Sequence, residues 1–526
     1  MPSAINTGYR KLYRGVQIAA RVGVFAVTIV AFICAVVIGL TQLETFRSWA
    51  IGEGLAALNN QLQGRVEVDA ISGNVLTGLK LRGVRLFADG TTMIEAPVVD
   101  LAYSLRPIFE QKVVGARAIL HRPIVRLIRN ATDSVWNFDR ITKPSKDTLK
   151  TPFNWDIDVQ AFEIVDGTVI INDRTVEPDL DTIARRVDYT HLELEHVNLA
   201  LQAHIAPTEQ SVWLQNLAFE APQPDVRVIE ISTQITVNKT GLTVKDLIVE
   251  TERSLFALDG KIDSVDFVGD ETAIRSWQEF PLTLSLDAPR VSTLELRRFV
   301  GEDLDFLAGT PALELDASGS FGDLRIEKLR LGLPRTDLHI VGRLRNLNDP
   351  DSLAIDARIE DSHVTYADVM QHLPGLDLPD LTYLGRARIR SASFNGLPEL
   401  FTATLDASTD IGATRGGARL DLRGERLVYT ADLAFESVDF APLAGDESLR
   451  SDFTGRIVTN GAGTSLDELA ARVRLESQGS TVAGRSYRML YFDGGIGDGG
   501  FITADTLVVA WGSGGGSPTS PQPPSK

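Results

Sequence analysis

The chain has 526 residues, a formal net charge of −18, one cysteine and 44% apolar residues. That length exceeds a single ordinary core, so the fold is either several domains or one elongated repetitive body. The acidity argues against nucleic-acid partners and against lying flat on anionic lipid, and a lone cysteine leaves no intrachain disulfide and no thiolate metal site.

Residues 1–21 carry Arg10, Lys11, Arg14 and Arg21 and no acidic residue. Residues 22–40, from Val22 to Leu40, carry no charge at all, and at about 1.5 Å per residue such a helix approaches the ~30 Å of a bilayer core. The basic flank predicts a single-pass signal anchor with a cytoplasmic N-terminus and an exported body. A cleaved signal peptide is the rival reading, but Val36-Val37-Ile38-Gly39-Leu40 offers no small-x-small site. Cys34 lies inside the apolar run behind Ile33, which excludes a lipobox and makes it a small buried hydrophobe. Residues 41–64 are expected to form a membrane-proximal cap, an amphipathic helix with Trp49, Leu55, Leu58 and Leu62 on one side.

From Arg65 the apolar period changes to two, as in Val66 and Val68 or Val125 and Leu127, so residues 65–510 are expected to be mainly β. One pattern recurs inside these strands. Leu79-x-Leu81-x-x-Val84-x-Leu86 skips one extra residue and then resumes alternation. The same spacing appears as Leu192-x-Leu194-x-x-Val197-x-Leu199, Leu242-x-Val244-x-x-Leu247-x-Val249 and Leu324-x-Ile326-x-x-Leu329-x-Leu331. A skipped residue throws later side chains to the wrong face unless a bulge or tight turn absorbs it, so a repeated device is expected at these four places. Residues 247–262 also align without gaps onto 329–344, and Leu420-x-Leu422-x-Gly424 is a weaker third copy. Stacked β-repeats give an elongated, solenoid-like body. Helical spacing is confined to Ser104–Gln111, Ser292–Val300 and Tyr366–His372, too short to cover a large sheet. Residues 511–526 are Gly, Ser and Pro-rich and have nothing to bury.

Chemistry-bearing patterns are sparse. Of the seven histidines, His191 and His196 lie closest in sequence, and their spacing suits solvated strand positions better than metal ligation. Glu193 and Glu195, like Asp156 and Asp158, alternate with apolar residues and mark a wet strand face. Asp493 to Gly500 is similar to calcium-binding nonapeptides but occurs once, and Asn130-Ala131-Thr132 is an isolated sequon. No GxSxG elbow and no phosphate-binding GK[ST] loop is present, so no enzyme, cofactor or metal is read from the sequence.

Three segments resemble the AsmA-like superfamily, TamB-type, in its N-terminal portion. The anchor is followed by Gly73-Asn74-Val75-Leu76-Thr77-Gly78-Leu79. Arg106-Pro107-Ile108-Phe109 leads to Pro123-Ile124-Val125-Arg126-Leu127 and the turn Asp133-Ser134-Val135-Trp136-Asn137-Phe138, similar to the family's G-x-W-N turn with Ser134 in the glycine place. Phe162 to Asp173 looks like the family's G-x-v-x-i-x-D hairpin. The resemblance implies a long sheet folded over into an apolar groove, a β-taco, anchored in the inner membrane and reaching across the periplasm. It further implies movement of phospholipid towards the outer membrane, and outer-membrane protein assembly with an Omp85-type partner. TamB-type chains are usually longer and end in a dedicated domain that meets this partner, so that docking does not carry over.

Few helices and many half-apolar strands leave an apolar face to be filled. Either it is a lipid groove lined by the four skipped-residue repeats, or it is a dry scaffold for outer-membrane protein assembly or secretion. Alternation fits both.

Overall fold

The computed structural model describes residues 64–511 apart from 75–77, 89, 104–111, 142–155, 179–185, 270–275, 301–307, 373–379, 425, 464–469 and 498–500. The expected anchor, the membrane-proximal helix, the helix at 104–111 and the tail lie outside the described residues. Among those described, no helix is long and apolar enough to cross a membrane.

The chain divides into two compact units, Met1–Ser320 and Phe321–Lys526. The described strands of the first are β1 (Arg65–Glu67), β2 (Ala70–Asn74), β3 (Gly78–Ala88), β4 (Thr91–Ala102), β5 (Lys112–His121), β6 (Ile124–Arg129), β7 (Asp156–Asp173), β8 (His191–Ile205), β9 (Glu209–Ala221), β10 (Val226–Asn238), β11 (Gly241–Thr251), β12 (Leu255–Asp263), β13 (Leu282–Arg290) and β14 (Ala312–Ser320), with helix α1 (Thr293–Val300) before the last. The second unit holds β15 (Asp323–Leu333), β16 (Thr336–Arg345), β17 (Ala354–Thr365), β18 (Arg386–Leu397), β19 (Leu400–Thr409), β20 (Gly412–Asp421), β21 (Val428–Val438), β22 (Phe453–Ala462), β23 (Ala470–Val482), β24 (Arg485–Gly497) and β25 (Phe501–Trp511). Helix α2 (Tyr366–His372) follows β17 and helix α3 (Ala441–Ala444) follows β21. The expected mainly-β class is borne out, and so are helices over 293–300 and 366–372.

In the second unit each strand pairs antiparallel with the next. The first unit departs from this twice: β1 and β2 both lie along β3, and β5 and β6 together lie between β4 and β7 and run parallel to β7. A parallel pairing needs a crossover, and the turn at Trp136 and Asn137 is part of it.

At three of the four places the skipped residue is a bulge, while at Gly83 the register with β4 runs on unbroken. Val244 faces Gly260 while Leu247 faces Leu258, and Ile326 faces Gly342 while Leu329 faces Ile340, so two residues oppose one in the same register both times. In three of the four copies the extra residue is left-handed: Gly83 (φ 60°), His196 (φ 51°) and Asp246 (φ 50°). A left-handed residue turns the strand without reversing it, which keeps Leu79, Leu81 and Leu86 on one side. In the first unit the breaks line up. Gly83 faces Pro97, Pro97 lies beside Arg122-Pro123, and these lie beside Asp166-Gly167. Asp166 N donates to Asn198 Oδ1 (3.1 Å), and His196 Nδ1 lies 2.9 Å from Asp166 Oδ1. Phe162 to Asp173 is therefore no hairpin. It runs within the single strand β7, because Asp166 (φ 55°) absorbs the irregularity in place.

The gapless repeat is a structural module of hairpin, strand and capped helix. Ser292 N donates to Ser254 Oγ (3.0 Å), as Thr365 N does to Thr336 Oγ1 (3.1 Å). Glu295 N donates to Ser292 Oγ, as Asp368 N does to Thr365 Oγ1, giving each helix a hydroxyl N-cap. The expected third copy fails. Leu422 and Gly424 lie beyond β20 in a turn, and the third succession is β19, β20, β21 and α3, with Asp439 N donating to Ile411 O (2.8 Å).

Candidate functional site: a sealed and an open apolar face

Antiparallel partners share a face, so the strand registers can be read as lateral rows of side chains. In the first unit one row runs Leu79, Leu101, Ala118, Phe162, Leu201, Leu214, and another Leu81, Val99, Leu120, Ile164, Leu199. Most of these form one buried cluster, with Phe162 2% and Leu120 4% exposed. A second cluster across the line of breaks holds Val66, Leu86, Met93, Ile94, Val125, Leu127 and Ile171. Both are dry packing.

The turn resembling G-x-W-N serves this second cluster. Asn137 is buried, its Nδ2 donates to Arg126 O (2.7 Å), and its Oδ1 accepts from Ile128 N (3.1 Å). It thus stands in for a neighbouring strand along β6. Trp136 stacks on Phe138 (5.6 Å) and bridges to Arg129. Ser134 has φ 59°, which is where glycine costs least. Asp133 pairs with Arg140 at the surface. Asp133, Trp136, Asn137 and Phe138 thus hold structure, and none of them lines a cavity described in this fold.

The second unit has rows of the same kind without the seal. One runs Ile340, Ile359, Ala392, Leu405, Gly416, Leu433, Ile457, Leu475, Phe492, Leu507. Beside it runs a row of mostly small side chains: Gly342, Ala357, Phe394, Ala403, Ala418, Ala431, Thr459, Val473, Gly494, Ala504. A third row, Leu344, Ile355, Gly396, Phe401, Leu420 and Tyr429, is larger again. The small row makes a furrow between two larger ones, and none of these positions carries a charge. Yet the only buried apolar residues described in this unit are Ala407, Val438, Ala441 and Phe453. From Gly342 to Val473 the small row is half-exposed, Gly494 is buried, and Ala504, Leu405 (38%) and Leu507 (60%) are exposed outright.

The opposite face is polar and bound by cross-strand ion pairs. Asp406 takes Arg390 (3.0 Å) and Arg415 (2.7 Å), Asp432 takes Arg456 (2.5 Å), and Asp493 takes Arg472 (3.1 Å) and Arg474 (2.9 Å). Hydrogen bonding from Arg474 and Arg472, despite burial, holds the Asp493 carboxyl below the usual range. A shallow concavity of about 1300 Å³ lies on this face, flanked by Arg388, Ser408, Ala413 and Glu436.

The sixteen expected groove residues therefore divide. Leu79, Leu81 and Leu86 are buried in dry clusters and Val197 is buried outside them, while Val84, Leu192, Leu194 and Leu199 pack partly against such clusters. Leu242, Val244, Leu247, Val249, Leu324, Ile326, Leu329 and Leu331 are only half-buried. Alternation in the sequence marks the open face from β19 to β24, but the furrow itself shows only once the strand register is known. His191 and His196 do not meet, since His191 pairs with Asp188 (2.9 Å) and His196 with Asp166. Among the described residues no three of His, Cys, Asp and Glu gather in a metal-binding group. Compared with family models, curated proteins and solved structures, the chain matches none.

Proposed function

We propose that this chain is an inner-membrane-anchored periplasmic protein that carries phospholipid between the inner and outer membranes, with acyl chains lying on the apolar face. The observation that carries this is the uncharged apolar face of the second unit, half-exposed among the described residues. An apolar strip of that extent attracts apolar matter, and each methylene taken out of water there gains about 0.8 kcal/mol. The uncharged run Val22–Leu40 behind a basic flank and the resemblance to TamB-type proteins supply the membrane context. The sealed clusters of the first unit favour the second reading there, a dry scaffold in outer-membrane protein assembly with an Omp85-type partner. The test is to purify the full chain from cells, identify co-purifying lipid by mass spectrometry and assay transfer between vesicles. Bound phospholipid with transfer is expected. Lipid-free protein that transfers nothing would leave the scaffold.

A further inference from the structure

Resting on that lipid-carrying reading, we infer that acyl chains occupy the apolar face of β11 to β14 in the first unit and, separately, that of the second unit, that β3 to β8 form a dry foundation lipid does not enter, and that helix α1 is the stopper between this foundation and β11. In the foundation Leu79, Leu81, Val99, Leu101, Ala118, Leu120, Phe162 and Leu201 are each less than a tenth exposed, and the half-buried Ile164 and Leu199 pack against them, so the rows are closed by their own side chains. From β11 the same face is half-exposed at Leu242, Val244, Leu247 and Val249.

The boundary is where α1 docks. Its Phe299 packs beside Leu192, Leu194, Phe219 and Ile231 on the small cluster of Ala221, Val226 and Val228. Its first turn is tied down by Glu295, which is buried and accepts from Thr251 Oγ1 and Ser254 Oγ at 2.6 Å each. Its last turn is tied by Val187 N donating to Arg298 O (2.8 Å) and Tyr189 Oη donating to Phe299 O (3.4 Å). The helix is thus fixed at both ends with an aromatic ring on the apolar face. In the repeated module α2 is anchored the same way through Asp368, but the position matching Phe299 is His372. The apolar stopper belongs to α1.

The experiment uses the full chain in vesicles doped with a diazirine phospholipid, irradiated, digested and mapped by mass spectrometry. Labelling is expected on peptides containing Leu247, Leu405 and Leu433 and absent from those containing Leu101, Leu120 and Phe162. Labelling of both sets would overturn the dry foundation while leaving lipid carriage standing. Labelling of neither set would sink lipid carriage and this inference with it. In Phe299→Ala, with its fold checked by circular dichroism, labelling is expected to spread to the peptide of Leu192 and Leu194; an unmoved boundary would refute the stopper.

Discussion

The row Leu79, Leu101, Ala118, Phe162, Leu201 and the row Ile340, Ile359, Ala392, Leu405, Gly416, Leu433 are built by the same alternation on the same kind of ladder. The first is dry packing and the second is open. What separates them is whether anything lies across the face, and that decides what each side chain contributes. In the first unit an apolar side chain supports the fold. In the second it is spare binding surface whose removal costs the fold little.

The sharpest break of that contrast is a pair of truncations followed by urea unfolding. Phe162→Ala should cost about 3–5 kcal/mol, as a large buried side chain leaves a cavity, whereas Leu433→Ala should cost about 1 kcal/mol or less because its side chain is already half-exposed. Equal losses would mean the second face is covered too. A smaller effect concerns the two capped helices. Burial opposes ionisation of Asp368, but hydrogen bonds from Arg335 N, the Thr336 hydroxyl and the Arg335 guanidinium outweigh it and hold the carboxyl below its ordinary value. The stabilisation is therefore complete above the unfolded carboxylate pKa, about 3.9, and is lost as pH falls through the lower folded value. Asp368→Asn should flatten this acid-side loss in unfolding midpoints taken from pH 7 to pH 2, and an unchanged slope would count against it. The smallest effect has the opposite sign: Ser134→Gly should stabilise by about 0.5–1 kcal/mol by relieving a left-handed residue, read as a raised midpoint.

Local features were legible in the sequence because they are set by adjacent residues. The bulges at His196 and Asp246 and the left-handed Gly83 follow from a broken period, and helices α1 and α2 from their spacing. Two misreadings share one cause. Phe162 to Asp173 was expected to turn back and Leu420 to Gly424 to repeat, yet Asp166 bends a strand without reversing it and β20 ends at Asp421. In both cases backbone pairing with a distant strand decided the outcome. The seal over Leu81 and its absence over Leu433 were beyond reach for the same reason, since both residues sit in identical alternation. Asn137 could be picked out by its motif, but its role as a substitute strand needed the end of β4 beside β6.

The aligned breaks from Gly83 to His196 have a mechanical consequence. Along that line the ladder is interrupted in neighbouring strands, and part of its hydrogen bonding passes to side chains such as Asn198. A sheet bends most readily where fewest backbone bonds resist, so compliance gathers on one crease and the stretches to either side stay stiff. Thermal flexing of the first unit then becomes rotation about a single line, and the two buried clusters on either side of it move as plates.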